Sequence, residues 1–186
     1  MAVGSDFGDS LATRRPSHLK CVGRLFFLGG SIQLTARSTM RTMEKVVGDL
    51  EALAAEAASF VAGLHPAKES ATLVTLEGEL GAGKTAFVKA AAKALRVDEL
   101  VTSPTFVLEK IYQLASQPFA RLVHIDAYRF DKGSDLAPLG FNELMKDTHN
   151  LVMLEWPERV RGALPKPAHA LMLTTLPDGS RKIAYG

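Results

Sequence analysis

The residues best suited to chemistry lie in one run, Gly78-Glu79-Leu80-Gly81-Ala82-Gly83-Lys84-Thr85. It fits the spacing G-x-x-x-x-G-K-T with no mismatch, and its flanks read as a strand before and a helix after. Glycines at 78, 81 and 83 let the backbone bend until successive N–H groups point into one concave nest. A helix beginning near Lys84 aims the positive end of its dipole at the same place. The ligand such a nest suits is a phosphate chain. Lys84 is expected to reach its β- and γ-phosphates, and Thr85 to offer its hydroxyl to magnesium. Two acids stand downstream: Asp126 closes the run Leu122-Val123-His124-Ile125, and Glu155 closes Leu151-Val152-Met153-Leu154. In an open α/β sheet, ligands bind beyond the carboxyl ends of the strands. Both acids are therefore expected to face the γ-phosphate and Mg²⁺.

The elements that must position these residues are legible from periodicity. Residues 43–64 place Val46, Val47, Leu50, Leu53, Ala54, Ala57 and Val61 at three- and four-residue steps, predicting one amphipathic helix ended by Gly63 and Pro66. Ala71–Glu77 reads as a buried strand and Thr85–Leu95 as the helix behind the loop. Thr105–Gln113 and Arg121–Ala127 read as adjacent strands. Residues 135–147 predict a short helix interrupted by Pro138 and Gly140, and Leu151–Trp156 a buried strand stopped by Pro157. Pro177-Asp178-Gly179-Ser180 is a turn between two last strands, Ala170–Thr175 and Arg181–Tyr185.

A length of 186 residues suits one domain with a core that needs no disulfide or metal staple. A hydrophobic fraction of 47% and a charged fraction of 23% exclude a chain disordered throughout. The lone cysteine, Cys21, excludes an intramolecular disulfide framework and a four-cysteine zinc site, and it fits a reducing compartment. No run approaches the roughly 18 apolar residues of a membrane span, and a cytoplasmic location is expected. Residues 1–42 carry six basic and two acidic side chains, a balance of +4, whereas 43–186 carry 16 and 18, a balance of −2. The overall +2 thus belongs to the first segment, which lacks a sustained helical or strand period. Residues 1–42 are expected to be a disordered leader or sequence upstream of the true start, with the domain spanning 43–186. The mild acidity of 43–186 argues against strong unaided nucleic-acid binding, which depends on neutralising phosphates.

Three blocks occur in order: LEGELGAGKTAFVK at 76–89, VTSPTFVLEKIY at 101–112 with HIDAYR at 124–129, and LVMLEWPERV at 151–160. Together they resemble the TsaE family, small bacterial P-loop ATPases that support threonylcarbamoyl modification of an adenosine beside the anticodon of certain tRNAs. The resemblance covers about residues 71–165. It implies an α/β P-loop NTPase fold, a three-layer α/β/α sandwich around a central mixed, mainly parallel sheet. It also implies that Gly78, Leu80, Gly81, Ala82, Gly83, Lys84 and Thr85 hold ATP, and that Thr85, Asp126 and Glu155 serve Mg²⁺. Lys84, Asp126 and Glu155 then form the catalytic set, Ser103, Pro104 and Thr105 a segment sensing the γ-phosphate, and Trp156 a neighbour of the nucleotide. The implied partner is a TsaD–TsaB complex reset by ATP hydrolysis, with tRNA met through that complex.

Read from the residues alone, Ser-Pro-Thr fits a turn entering a strand equally well, and Trp156 fits either an aromatic platform or core filling. His124 reads as a packed or hydrogen-bonded strand residue, and Tyr128 and Arg129 as residues of the site edge. Thr42 is the nearest candidate for a base contact, and 43–64 departs from the family's usual short N-terminal segment. The competing function is a small-molecule or nucleoside kinase using the same loop. Against it, no arginine-rich lid follows the core, Arg159 and Arg161 being the nearest approach. A guanine-binding switch lacks an N-K-x-D run.

Overall fold

The computed structural model describes residues 43–99, 101, 102, 104, 107–115 and 117–186. The leader expected at 1–42, Thr42, and the site candidates Ser103 and Thr105 lie outside the described residues. Among the described residues there are seven strands: β1 Met43–Val47, β2 Thr72–Gly78, β3 Glu109–Gln113, β4 Arg121–Asp126, β5 Asn150–Glu155, β6 His169–Thr175 and β7 Arg181–Tyr185. They form one sheet in the order β1-β7-β6-β2-β5-β4-β3. The inner strands β6, β2, β5 and β4 pair in parallel, and β3, β7 and β1 add antiparallel pairings at the two sides. The fold is thus α/β with a mixed sheet and a parallel centre.

Burial explains why the centre reads as continuous apolar runs: β2, β4 and β5 are covered on both faces. Helices α1, Leu50–Ala62, and α2, Lys84–Ala94, cover one face. Leu53, Ala57, Phe87, Val88 and Ala91 pack there against Val74, Leu76, Leu122, Met153 and Leu173. On the opposite face, Phe130, Leu136, Val160 and Phe141, the last in α3 (Phe141–Lys146), pack against Leu73, Val123, Ile125, Val152 and Leu154. Each large side chain fully buried in this way contributes about 1.5–3 kcal/mol. No helix among the described residues is long and apolar enough to cross a membrane.

Three expectations are corrected. The helix expected over 43–64 begins only at Leu50, because residues 43–47 form β1, paired antiparallel to β7 with Met43 opposite Tyr185. Asp49 caps the helix, its side chain accepting from the Ala52 N–H at 2.8 Å, an arrangement that satisfies one of the free donors of the first turn. A pairing partner more than a hundred residues away overrides the local period. The strand expected over 105–113 starts at Glu109, because Leu108 turns in the left-handed region at φ 66° and its N–H bonds to the Pro104 carbonyl. The helix expected over 135–147 is a 3₁₀ turn, Gly133–Leu139, followed after Gly140 by α3.

Candidate functional site

Strand β2 ends at Gly78, where φ is 146° and a Cβ would lie 2.2 Å from the Leu173 carbonyl oxygen on β6. Backbone angle and close approach both require glycine there. The loop then turns to Gly83, also in the left-handed region at φ 104°, which caps α2. The Gly83 carbonyl accepts the Phe87 N–H at 2.8 Å, so the helix starts immediately behind the loop. Leu80 stands at the exposed tip, and Ala82 is buried beneath it.

Alternation on the parallel strands decides what faces α2. Leu122, His124 and Asp126 point to the α2 side of β4, as Leu151, Met153 and Glu155 do on β5. Asp126 and Glu155 are register partners at the two carboxyl ends. Glu155 is only 1% exposed, yet both its oxygens are hydrogen-bonded. Thr85 Oγ1 donates to Oε2 at 2.8 Å, and His124 Nε2 lies 2.7 Å from Oε1. The Asp126 carboxylate accepts from the Tyr128 N–H at 3.0 Å, fixing the turn that follows β4.

Lys84 folds back onto its own loop. Its Nζ donates to the carbonyls of Gly78 at 2.8 Å and Glu79 at 2.9 Å, and sits 3.6 Å from the centre of the Trp156 ring. Burial pushes its ammonium below the ordinary lysine value, against the nearby carboxylates of Glu155, Glu158, Asp126 and Glu79, which favour the charge. Trp156 holds its position with a left-handed backbone, φ 60° and ψ 50°. That conformation costs a residue with a side chain about 1–3 kcal/mol. The Trp156 N–H bonds to the Leu76 carbonyl at 3.1 Å, and its ring packs on Tyr128 with centroids 5.0 Å apart.

A cavity of about 280 Å³ lies over this arrangement, lined by Leu80, Gly81, Gly83, Lys84, Thr85, Asp126, Glu155 and Trp156, together with Ala86 and Tyr128. Of the residues expected at the site, Gly78 and Ala82 shape the loop from below instead of lining the cavity. Trp156 forms a wall, half-buried beside the lysine. The oxygen donors here, a hydroxyl and two carboxylates, are the hard ligands magnesium takes. Among the described residues no group of three His, Cys, Asp or Glu side chains is arranged to hold a metal by itself. The set therefore suits a cation that keeps waters and shares phosphate oxygens.

A second cavity, about 230 Å³, lies on the other side of the loop and has no local signal in the sequence. It is lined by Val47, Gly48, Asp49, Leu50, Leu53, Gly81, Gly83, Ala86 and Arg181. Part of its wall comes from β1, the start of α1 and β7, and the long-range β1–β7 pairing brings the two strands together. His124 is readable from its strand as packed or hydrogen-bonded, but the contact with Glu155 is not readable.

The chain is similar to known proteins of one family. A family model described as threonylcarbamoyl adenosine biosynthesis protein TsaE matches residues 47–183. The tRNA threonylcarbamoyladenosine biosynthesis protein TsaE of Treponema pallidum is 38% identical over 115 residues, covering 62% of this chain and 82% of that protein. The protein of the same description from Bacillus subtilis is 34% identical over 113 residues, covering 61% of this chain and 68% of its own length. The crystal structure of Bacillus subtilis YdiB superposes with a TM-score of 0.61 at 26% identity, over 78% of this chain and 84% of that one.

Proposed function

The chain belongs to the TsaE family, and from that membership we propose that it is a Mg²⁺-dependent ATPase serving tRNA N6-threonylcarbamoyladenosine biosynthesis in the cytoplasm. The observation that carries the reading is the convergence of Lys84, Thr85, Asp126 and Glu155 on one cavity at the carboxyl ends of parallel strands. Loop N–H groups and the amino end of α2 hold the phosphates. Lys84 exchanges the Gly78 and Glu79 carbonyls for β- and γ-phosphate oxygens, a charge-assisted contact. Thr85 Oγ1, Asp126 and Glu155 are the groups that would hold Mg²⁺, whose chemistry is to neutralise charge on the phosphate oxygens. Glu155 is the carboxylate placed to orient a water toward the terminal phosphate. The second cavity, between Val47–Leu53 and Arg181, is where the base extends from the loop.

The physiological step is ATP hydrolysis that resets a TsaD–TsaB complex between rounds of modification, with tRNA met through that complex. Phosphate release measured with Mg·ATP, with and without the TsaD–TsaB pair, tests it. Stimulation by the pair, with water as acceptor, is the expected result. No stimulation, together with phosphoryl transfer to a nucleoside, would establish the kinase reading instead.

A further inference from the structure

His124 is wholly buried on β4, two residues before Asp126 and on the same face of the sheet. Its Nε2 lies 2.7 Å from Glu155 Oε1, while Nδ1 is buried without a hydrogen-bond partner among the described residues. This geometry points to Nε2 as the donor. An ionised carboxylate only accepts, so the proton facing it belongs to Nε2. A proton on Nδ1 instead would leave a buried donor orphaned and set two lone pairs against each other. The other carboxylate oxygen, Oε2, accepts from Thr85 Oγ1 at 2.8 Å. Glu155 is therefore gripped from two elements, the first turn of α2 and the middle of β4. Without His124 the hydrogen bond left to Glu155 among those described is that of the Thr85 hydroxyl, and that hydroxyl is the group needed for the cation.

We propose that His124 is a positioning residue: through Nε2–H it fixes the orientation of the Glu155 carboxylate, so that Thr85 can turn from Glu155 to the cation without the acid losing its place. The inference rests on the ATPase reading above. Partners that hold a metal-directed carboxylate from behind are worth about 10–100-fold in metal affinity or activity.

The full-length variants His124→Gln and His124→Asn test it. Both replace the ring by a buried amide, but Gln Nε2 lies as many bonds from Cβ as His Nε2 does, and Asn Nδ2 lies one bond short. Calorimetry measures ADP affinity in EDTA and in Mg²⁺, and phosphate release with the TsaD–TsaB pair gives kcat and KM. In His124→Asn, the gain in ADP affinity brought by Mg²⁺ and the kcat are expected to fall about 10–100-fold, with metal-free ADP affinity unchanged. His124→Gln is expected to keep both within about threefold of the parent, by the same positioning argument. Equal behaviour of the two variants, whether both retain or both lose these properties, overturns the inference. Absence of any Mg²⁺-dependent gain in the unsubstituted protein overturns the ATPase reading itself. Nitrogen NMR of the labelled parent protein gives a check that needs no variant to fold: His124 must carry a proton on Nε2, and an unprotonated Nε2 overturns the inference.

Discussion

Lys84 begins the binding event with partners already in place: two carbonyls of its own loop and the face of Trp156. On the proposed function, nucleotide must offer more than these, and phosphate does, since its oxygens carry net negative charge opposite the ammonium where a carbonyl offers only a dipole. Lys84→Ala is expected to weaken ATP binding by about 100-fold or more, the equivalent of about 3 kcal/mol, in line with one or two lost charged hydrogen bonds. Calorimetric titration measures this, and affinity within threefold of the parent would remove Lys84 from phosphate recognition. Glu155→Ala is expected to act oppositely, leaving nucleotide affinity nearly intact while kcat falls about 10²–10⁴-fold, the range for losing a group that orients or activates a proton donor. At this scale the loop and both acids are legible in the sequence because strand, glycine spacing, lysine and strand-end carboxylate are local signals. The grip of His124 on Glu155 is not, since β4 and β5 meet only through the sheet.

The elements hold the site through a few irreplaceable contacts. Gly78→Ala forces a Cβ onto the backbone of β6 at Leu173, where no side-chain rotation relieves it. A loss of about 3 kcal/mol in denaturant-measured stability is expected, combining overpacking with a disfavoured φ. Asp49→Ala removes the cap of α1. It is expected to cost about 1 kcal/mol by the same measurement. The turn between α3 and β5 has a pH signature. The His149 N–H, then Arg121, hold the accessible Asp147 carboxylate below its ordinary value of 3.8. A lowered folded value means stability that is present above pH 3.8 and lost as pH falls through the folded value. Asp147→Asn should therefore flatten the acid limb of a melting-temperature profile as pH falls below about 5; an unchanged slope refutes the assignment. The buried strands and α2 are readable from their apolar runs, and the β7 bounds of Arg181–Tyr185 from the turn before them. β1 is not: its exposed, charged residues Glu44 and Lys45 look helical until Lys182 and Glu56 are placed beside them.

At the scale of the whole molecule, the charge balance of residues 43–186 disfavours nucleic acid. Residues 43–186 carry −2. A chain of those residues alone is expected to show no tRNA shift at about 0.15 M salt, where the Debye length is about 8 Å. Any binding by the full chain at low salt should disappear when residues 1–42 are removed. A gel shift that survives the removal would show a tRNA surface on the domain itself.

The pairing of β1 with β7 also sets an order of events in time. Val47 and Leu53 wall one side of the second cavity and Arg181 another, with the phosphate loop between them. During synthesis the loop emerges from the ribosome about a hundred residues before Arg181 does. The loop and α2 thus leave the ribosome before β5, β6 and β7, the strands that complete the phosphate cavity and the wall beside it. A chain released without β7 would lack Arg181 and the strand that pairs with β1, and with them one wall of the second cavity.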